Sequence, residues 1–240
     1  MSKLVLDKLV KSYNKKRAVD NISLSVKKGS VAGLLGPNGA GKTTTFYIAV
    51  GLIKPDSGKV FYQEEDITDY PMYIRARKGV GYLPQETSLF KKLTVMENIL
   101  IVLEASDMTK TKQKDIAVEL LEELGIKELA DRNAGVLSGG EKRRLEIART
   151  LALSPSFILL DEPFAGIDPL AVSDIKNIIK HLVKKDIGVL VSDHNVRETL
   201  EVCDKAYIIH EGKTIISGSP QDIVSSEIAR TIYLGDKFRL

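Results

Sequence analysis

The chain has 240 residues, 43% hydrophobic and 28% charged, which is typical of a soluble globular protein with one large domain or a core carrying one inserted subdomain. Its net charge of +3 is too small to indicate nucleic acid as a partner, so we expect none. No apolar run approaches the roughly 18 residues of a membrane helix and no signal region begins the chain, so we expect a cytoplasmic protein that meets a membrane only through other proteins.

The first part of the chain is rich in strand patterns. Residues 3–12, 22–27 and 58–63 carry them, and Tyr13 lies between the first two runs. A tyrosine ahead of a nucleotide-binding loop can stack on an adenine ring, and a lone tyrosine can equally pack against its neighbours. The residues alone leave both roles open.

The most informative stretch is Gly36-Pro37-Asn38-Gly39-Ala40-Gly41-Lys42-Thr43, the phosphate loop, which fits the pattern G-x-x-x-x-G-K-[ST]. It follows a buried-strand pattern at 31–35 and precedes a helix pattern that begins at Thr44. Its glycines permit turns in which backbone N–H groups point at phosphate oxygens, Lys42 supplies charge for the β- and γ-phosphates, and the Thr43 hydroxyl is placed to ligate Mg²⁺. The alternative, a plain glycine-rich turn, leaves the Lys-Thr pair unexplained.

A short strand pattern at 79–85 ends in a polar side chain, Gln85, which can ligate a metal, hold a water or cap a turn. From about 86 to 154 the pattern becomes helical, which predicts a helical insertion between two parts of an α/β core.

Within that insertion, Ser138-Gly139-Gly140-Glu141 precedes a helix. Ser138 and Glu141 form an S-x-x-E capping box. A helix N-terminus with two glycines is equally an anion site, and the spacing does not choose between the two roles.

Two later strand patterns end in chemically useful side chains. Residues 157–160 lead into the adjacent acids Asp161 and Glu162, and residues 188–192 lead to His194. Asp161 is suited to a direct or second-sphere Mg²⁺ site and Glu162 to a general base for a water, although two acids can also cap a turn. A lone histidine is usually structural, but the strand-end position of His194 suits catalysis as well, so the residues alone leave both roles open.

The rest of the chain gives local signals. Asp168 as N-cap and Pro169 as first residue predict a helix with an apolar face, Glu211-Gly212 predicts a hairpin turn, and Pro220 begins a short last helix.

Taken in order, these motifs resemble the ATP-binding-cassette ATPase family over nearly the whole chain. The matching elements are Tyr13, the phosphate loop, Gln85, the signature at 137–141, the pair 161–162, the loop 165–168 and His194. The one departure is Glu141 in place of the usual glutamine, which suits the capping role equally.

The resemblance implies an α/β fold: a P-loop NTPase (RecA-like) core with an N-terminal antiparallel β part and an inserted helical subdomain. We expect a single domain in which residues 1–85 and 155–219 form the nucleotide-binding core, 86–154 the helical signature subdomain and 220–240 a C-terminal tail.

The resemblance also implies ATP and Mg²⁺ as cofactors, bound in a dimer that holds two ATP molecules head to tail. In such a dimer Ser138, Gly139 and Gly140 of one copy face the γ-phosphate held by the phosphate loop of the other.

The remaining roles follow from the same resemblance. Thr43 and Gln85 would hold Mg²⁺ with Asp161 nearby. Glu162 would orient and deprotonate the attacking water, and His194 would contact the γ-phosphate and sense its loss.

Two transmembrane subunits are implied as partners, each inserting a short helix into a groove beside Gln85. Leu89 and Phe90 are candidate groove residues because an apolar pair is not needed in a solvent loop. The alternative is that Phe90 anchors the inserted helices. Phe238, near the end of the chain, is expected to pack on a second protomer.

Segments outside the shared motifs, among them 41–47, 75–86, 193–199 and 233–240, are similar to the ATPases of lipopolysaccharide-export systems in Gram-negative bacteria. This similarity implies attachment to the cytoplasmic face of the inner membrane. The alternatives are the ATPase of an importer, such as one for branched-chain amino acids, and a soluble cassette ATPase outside transport.

Overall fold

The computed structural model describes residues 2–166, 168–235 and 238, which form two sheets with helices around them. The strands are β1 Lys3–Tyr13, β2 Lys16–Lys27, β3 Val31–Leu35, β4 Ser57–Tyr62, β5 Glu65–Asp66, β6 Val80–Leu83, β7 Phe157–Asp161, β8 Gly188–Ser192, β9 Lys205–His210 and β10 Lys213–Gly218. The helices are α1 Lys42–Val50, α2 Met72–Lys78, α3 Val95–Leu103, α4 Lys110–Glu123, α5 Gly139–Leu151, α6 Pro169–Lys184, α7 Val196–Val202, α8 Pro220–Ser225 and α9 Glu227–Ala229. Short 3₁₀ turns occur at Lys127–Leu129 and Ala134–Val136, and a π-type turn at Arg230–Leu234.

The first sheet is antiparallel, with strand order β2-β1-β4-β5. Strand β2 begins six residues earlier than the sequence predicted, because Asn14 and Lys15, both at positive φ, form a tight turn that lets pairing continue from Tyr13↔Lys16. The polar run at this turn carries no hydrophobic alternation, so the pattern did not reveal the extra strand residues.

The second sheet has the order β10-β9-β3-β8-β7-β6, and all its pairs are parallel except the β9–β10 hairpin. Strands β3, β7 and β8 are buried along their whole length, as their apolar sequences predict. Because parallel strands end at one edge, the segments that follow β3, β6, β7 and β8 emerge together, which is where ligands bind in open α/β sheets.

Helices α3, α4 and α5, here called the helical part, lie between β6 and β7 in the chain and share a buried core that includes Ile99, Leu121 and Leu145. The prediction that helix begins near residue 86 was wrong. Residues 84–94 are irregular and turn structure, and α3 starts only after Thr94, which forms a capping box with Glu97. Helix α2 was also missed, because its seven residues are too few to establish a period.

The C-terminal residues fold back onto the parallel sheet. Ile223 and Ala229 are fully buried in a cluster with Leu35 and Ile208, and Tyr233 packs partly buried against it. Phe238 does the same, so part of its ring is covered within its own chain. The contact expected between Phe238 and a second protomer stays a prediction.

Candidate nucleotide site

The phosphate loop joins the end of β3 to the start of α1 at the carboxyl edge of the parallel sheet. A β-carbon at Gly36 would lie 2.2 Å from the carbonyl oxygen of Ile209, and one at Gly41 would lie 2.3 Å from that of Ala18. Both positions also have positive φ, so the loop requires glycine there. Gly41 is the N-cap of α1 and provides no side-chain cap, which leaves the first N–H groups of the helix for an anion.

The Lys42 side chain is buried inside the loop. Its Nζ donates hydrogen bonds to the carbonyl oxygens of Gly36, at 2.6 Å, and Pro37, at 3.1 Å. Burial lowers the pKa of the Lys42 ammonium, while the negative charges of Glu162 and Asp161 oppose that shift. The lysine charge and the acids predicted for the site are therefore within electrostatic reach of one another.

Asp161 is the last residue of β7 and only 3% of it is exposed. Burial raises the pKa of its carboxyl to about 6 and the charge of Glu162 adds to the rise, while Tyr82, Lys42 and Arg143 act in the opposite direction. The Tyr82 hydroxyl donates to Asp161 Oδ2 at 3.4 Å. A cation bound beside this carboxyl would relieve the cost of its ionisation.

Glu162 follows β7 and contacts residues at or just after the ends of the neighbouring strands β6 and β8. Its backbone N–H donates to the carbonyl of Ser192, at 2.6 Å, and its φ of 47° turns the chain out of β7. Its Oε2 accepts a hydrogen bond from Gln85 Nε2 at 2.9 Å and lies 3.4 Å from His194 Nδ1. The structure thus brings Gln85, Glu162 and His194 together.

Asp193 is a member of this cluster that the sequence reasoning did not assign. It is fully buried, and its two carboxylate oxygens accept the backbone N–H groups of Phe164 and Asn195, each at 2.8 Å. Burial raises its pKa, which these hydrogen bonds oppose. Asp193 therefore joins the segment after β7 to the segment after β8 and fixes the backbone beside His194. Its only sequence signal is an acid at the end of a strand.

Tyr13 and the phosphate loop line one open cleft of about 760 Å³. Tyr13 is 45% exposed, so its ring is accessible from that cleft. Residues that the sequence did not indicate also line it, namely Lys16, Arg17, Ala18, His210 and Glu211. His210, at the end of β9, is half-buried at this cleft.

Tyr233, in the π-type turn, is a further residue for which the sequence predicted no role in the site. Burial raises the pKa of its phenol, the charges of Asp193 and Glu162 add to the rise, and the Gly36 backbone opposes it. The C-terminal turn therefore lies against the base of the phosphate loop.

The capping box at the start of α5 is present as predicted. Ser138 N–H donates to Glu141 Oε2 at 2.7 Å, and Glu141 N–H donates to Ser138 Oγ at 3.4 Å. Ser138 and Gly139 are exposed, and a β-carbon at Gly139 would meet nothing within 4 Å. The signature is thus an open surface rather than a wall of the cleft.

The apolar pair after Gln85 divides into one core residue and one exposed residue. Leu89 is buried in the core of the helical part, whereas Phe90 is 46% exposed with the Arg149 guanidinium 5.2 Å from its ring centre. Asn98 holds the backbone of Phe90 through its N–H, at 2.9 Å, and its carbonyl, at 3.1 Å. The anchoring contacts are therefore made by the Phe90 backbone, and the ring remains accessible.

In the part of the chain that the structure describes, no group of three or more His, Cys, Asp and Glu side chains is placed to hold a metal ion. Mg²⁺ in nucleotide sites usually takes one or two protein oxygens and completes its shell with phosphates and waters. Asp161, Gln85 and Thr43 offer a carboxylate, an amide and a hydroxyl oxygen, a donor set that fits such an ion.

The sequence profile of the ABC transporter family matches residues 19–165, and the chain belongs to this family. It is 52% identical to the lipopolysaccharide export system ATP-binding protein LptB of Haemophilus influenzae over 241 aligned residues, covering 100% of both chains. MJ1267, an ATP-binding cassette of an ABC transporter solved in its ADP conformation, superposes with a TM-score of 0.89 at 31% identity, covering 98% of this chain and 100% of that one. The cassette MJ0796, solved as a dimer bound to ADP and Pi, gives 0.79 at 25% identity, covering 90% and 98%.

These similarities confirm the predicted P-loop NTPase fold and identify the chain as a nucleotide-binding ATPase. Within residues 2–166, 168–235 and 238, none of the helices combines the length and apolar character required to cross a membrane.

Proposed function

We propose that this chain is the ATP-hydrolysing subunit of a transporter that extracts lipopolysaccharide from the inner membrane for export to the outer membrane. The cargo is supported by the export-system relative, which is 52% identical over the whole length. The observation that carries the catalytic part is the convergence of Gln85 and His194 on Glu162 Oε2.

ATP occupies the cleft and the phosphate loop in this proposal. Tyr13 stacks on the adenine ring, and the backbone of residues 36–44 with Lys42 holds the phosphates. Thr43 and Gln85 hold Mg²⁺ with Asp161 nearby, and the bound ion would neutralise charge on the β- and γ-phosphates.

Glu162 acts as the general base. It orients a water and takes its proton at a carboxylate oxygen as that water attacks the γ-phosphorus, while the bond from this phosphorus to the oxygen bridging the β-phosphate breaks and ADP leaves. Gln85 and His194 fix the position of this carboxylate, and His194 additionally contacts the γ-phosphate and senses its loss. Asp193 orders the backbone on both sides of His194 through its two hydrogen bonds.

The active form is a head-to-tail dimer that encloses two ATP molecules. Support comes from the signature, in which Ser138 and Gly139 are exposed and Gly140 is half-buried, and from the dimeric cassette of similar fold. The backbone N–H groups of Gly139 and Gly140 would then complete the partner's phosphate site.

Transport requires two transmembrane subunits, which hold the chain peripherally at the cytoplasmic face of the inner membrane. Their helices dock near Gln85, where Phe90 presents an accessible ring.

The chain is a single domain with three parts in this proposal. Residues 1–85 and 155–219 form the nucleotide-binding core, residues 86–154 the helical signature subdomain and residues 220–240 the C-terminal tail.

A pull-down of tagged protein from detergent-solubilised membranes of the source cell tests cargo and assembly together. Recovery of two different transmembrane subunits of a lipopolysaccharide exporter, identified by mass, is the expected result. Recovery of amino-acid permease subunits would contradict lipopolysaccharide as the cargo and would leave the proposed ATPase mechanism unchanged. Recovery of no membrane partner would contradict the transporter assignment and favour a soluble cassette ATPase.

A further inference from the structure

Residues 84–88, from Pro84 to Ser88, are called the Gln85 segment here. Helix α5 makes hydrogen bonds to both ends of this segment. Arg143 Nη1 donates to the carbonyl oxygen of Pro84 at 3.0 Å, and Glu146 Oε1 accepts the backbone N–H of Ser88 at 2.9 Å. Arg143 and Glu146 lie on adjacent turns of α5 and also contact each other, with Nη1 3.2 Å from Oε2. One buried ion pair thus fixes the backbone immediately before and shortly after Gln85.

The same helix makes a third contact with the Gln85 segment, and it is again at Ser88. Arg149 Nη1 donates to the carbonyl oxygen of Ser88 at 2.6 Å. Both backbone polar groups of Ser88 are therefore bound to α5, so a movement of α5 displaces this end of the segment directly.

The Arg143–Glu146 pair is deeply buried, with 9% and 4% of the two side chains exposed. A buried pair of this kind is often no more stabilising than apolar side chains of similar volume. In the part of the chain described here, Arg143 Nη2 is buried with no hydrogen-bond partner, which adds to the cost of burying the guanidinium. Stability alone is therefore a weak explanation for this pair.

The contacts of the pair point instead to the catalytic cluster. Gln85 Nε2 donates to Glu162 Oε2 at 2.9 Å, so the position of the segment sets one of the contacts on the proposed base. Arg143 also adds positive charge near Asp161, where it lowers the pKa of that carboxyl against the effect of burial. The N-terminus of α5 is the signature itself, capped by Ser138.

We propose that Arg143 and Glu146 are positioning residues that transmit the placement of the signature helix to Gln85, and through it to Glu162. This inference rests on the proposed function, in which the signature meets the nucleotide of a second copy. An ATP-bound partner that shifts α5 would move the Gln85 segment with it, so that hydrolysis depends on correct docking of the signature.

The test separates positioning from stability by an apolar replacement of the pair. The double variant Arg143→Met/Glu146→Leu removes the contacts of the pair with Pro84 and Ser88 while avoiding an unpaired buried charge, and it leaves the contact of Arg149 in place. In the full-length chain we expect a melting temperature equal to or above that of the wild type, a dissociation constant for ATP within about threefold, and a kcat about 10- to 100-fold lower. The exposed ion pair Lys185–Glu123, changed to Met and Leu, is the matched control and should hydrolyse ATP normally.

A mutant cycle with Gln85→Ala tests whether the Arg143–Glu146 pair affects hydrolysis through Gln85. If the pair acts through Gln85, adding Gln85→Ala to the double variant lowers kcat little further, whereas independent effects multiply. A wild-type kcat in a folded double variant, or effects that multiply, would overturn the proposal. If the double variant does not fold, the single variant Arg143→Met, which removes the contact with Pro84 and leaves Glu146 to accept from Ser88, carries the same cycle. A normal rate in Glu162→Gln would instead refute the proposed base, so the two failures are distinguishable.

Discussion

The amide Nε2 of Gln85 lies 2.9 Å from Oε2 of Glu162, although the two residues are 77 positions apart in the chain. This contact exists because β6 and β7 are adjacent and parallel, so their carboxyl ends meet. The contacts of Gln85 and His194 fall on the same carboxylate oxygen, and a carboxylate held in one orientation is what a general base requires.

Glu162→Gln tests that role. The substitution keeps the shape of the side chain and an oxygen to accept from Gln85, but it removes the proton acceptor. We expect ATP binding to persist and hydrolysis to slow by about 10²- to 10⁴-fold. Single-turnover hydrolysis and nucleotide titration on the same preparation measure the two properties. Hydrolysis at the wild-type rate would exclude Glu162 as the base.

Tyr13→Ala tests stacking in the cleft. An aromatic ring stacked on a base contributes about 1–3 kcal/mol, so the affinity for ADP should fall about 5- to 150-fold. Tyr13→Phe keeps the ring and should bind within about twofold of the wild type. Tyr73→Ala, which removes a 63% exposed tyrosine far along the chain from the cleft residues, is the control. Calorimetric titration that finds Tyr13→Ala as tight as the control would reject stacking.

Asp161 should make the stability of the nucleotide-free protein depend on pH. Its pKa is raised from 3.8 to about 6 in the folded state, so the folded state binds the proton more tightly than the unfolded state. The resulting stabilisation is complete below pH 3.8 and is lost as the pH rises through about 6, an effect of about 3 kcal/mol.

Asp161→Asn removes this dependence. Relative to the wild type, the variant should gain up to about 3 kcal/mol in unfolding free energy at pH 8 and nothing below about pH 4. Urea denaturation of both proteins across this range measures the difference. A difference that is constant with pH would show that Asp161 is not the titrating group.

Phe90→Ala tests the docking of transmembrane partners. The ring is exposed and its backbone is held by Asn98, so its removal should leave ATP hydrolysis by the isolated chain intact. Recovery of membrane subunits in the pull-down should fall severalfold. Leu52→Ala, which removes an exposed side chain of similar apolar size, serves as the control. Equal recovery with both variants would place the docking surface elsewhere.

The sequence predicted well what depends on local pattern. The buried strands carry continuous apolar runs, and the phosphate loop has a spacing that few other structures require, so Lys42, Asp161 and Glu162 could be placed at one sheet edge. The capping box of Ser138 was equally predictable from the sequence, because it depends on four consecutive residues.

Contacts between distant segments were not predictable in this way. Asp193 accepts hydrogen bonds from two backbone N–H groups on separate loops, and nothing in its local sequence predicts these contacts. No role was predicted for Arg143 and Glu146 from the sequence, since the burial of this pair depends on how α5 packs against residues 84–88. The irregular stretch before α3 was missed for the same reason, because Asn98 on α3 and Glu146 on α5 accept hydrogen bonds from its backbone.

Strand β3 lies between β8 and β9, with Val31 opposite Val189 and Ala32 opposite Lys205. During synthesis the phosphate loop is therefore made early, but its strand has no partners in the sheet until most of the chain has left the ribosome. Contacts of such sequence separation close slowly. The nascent chain must keep an apolar strand unpaired for most of translation, a window in which chaperones have reason to bind it.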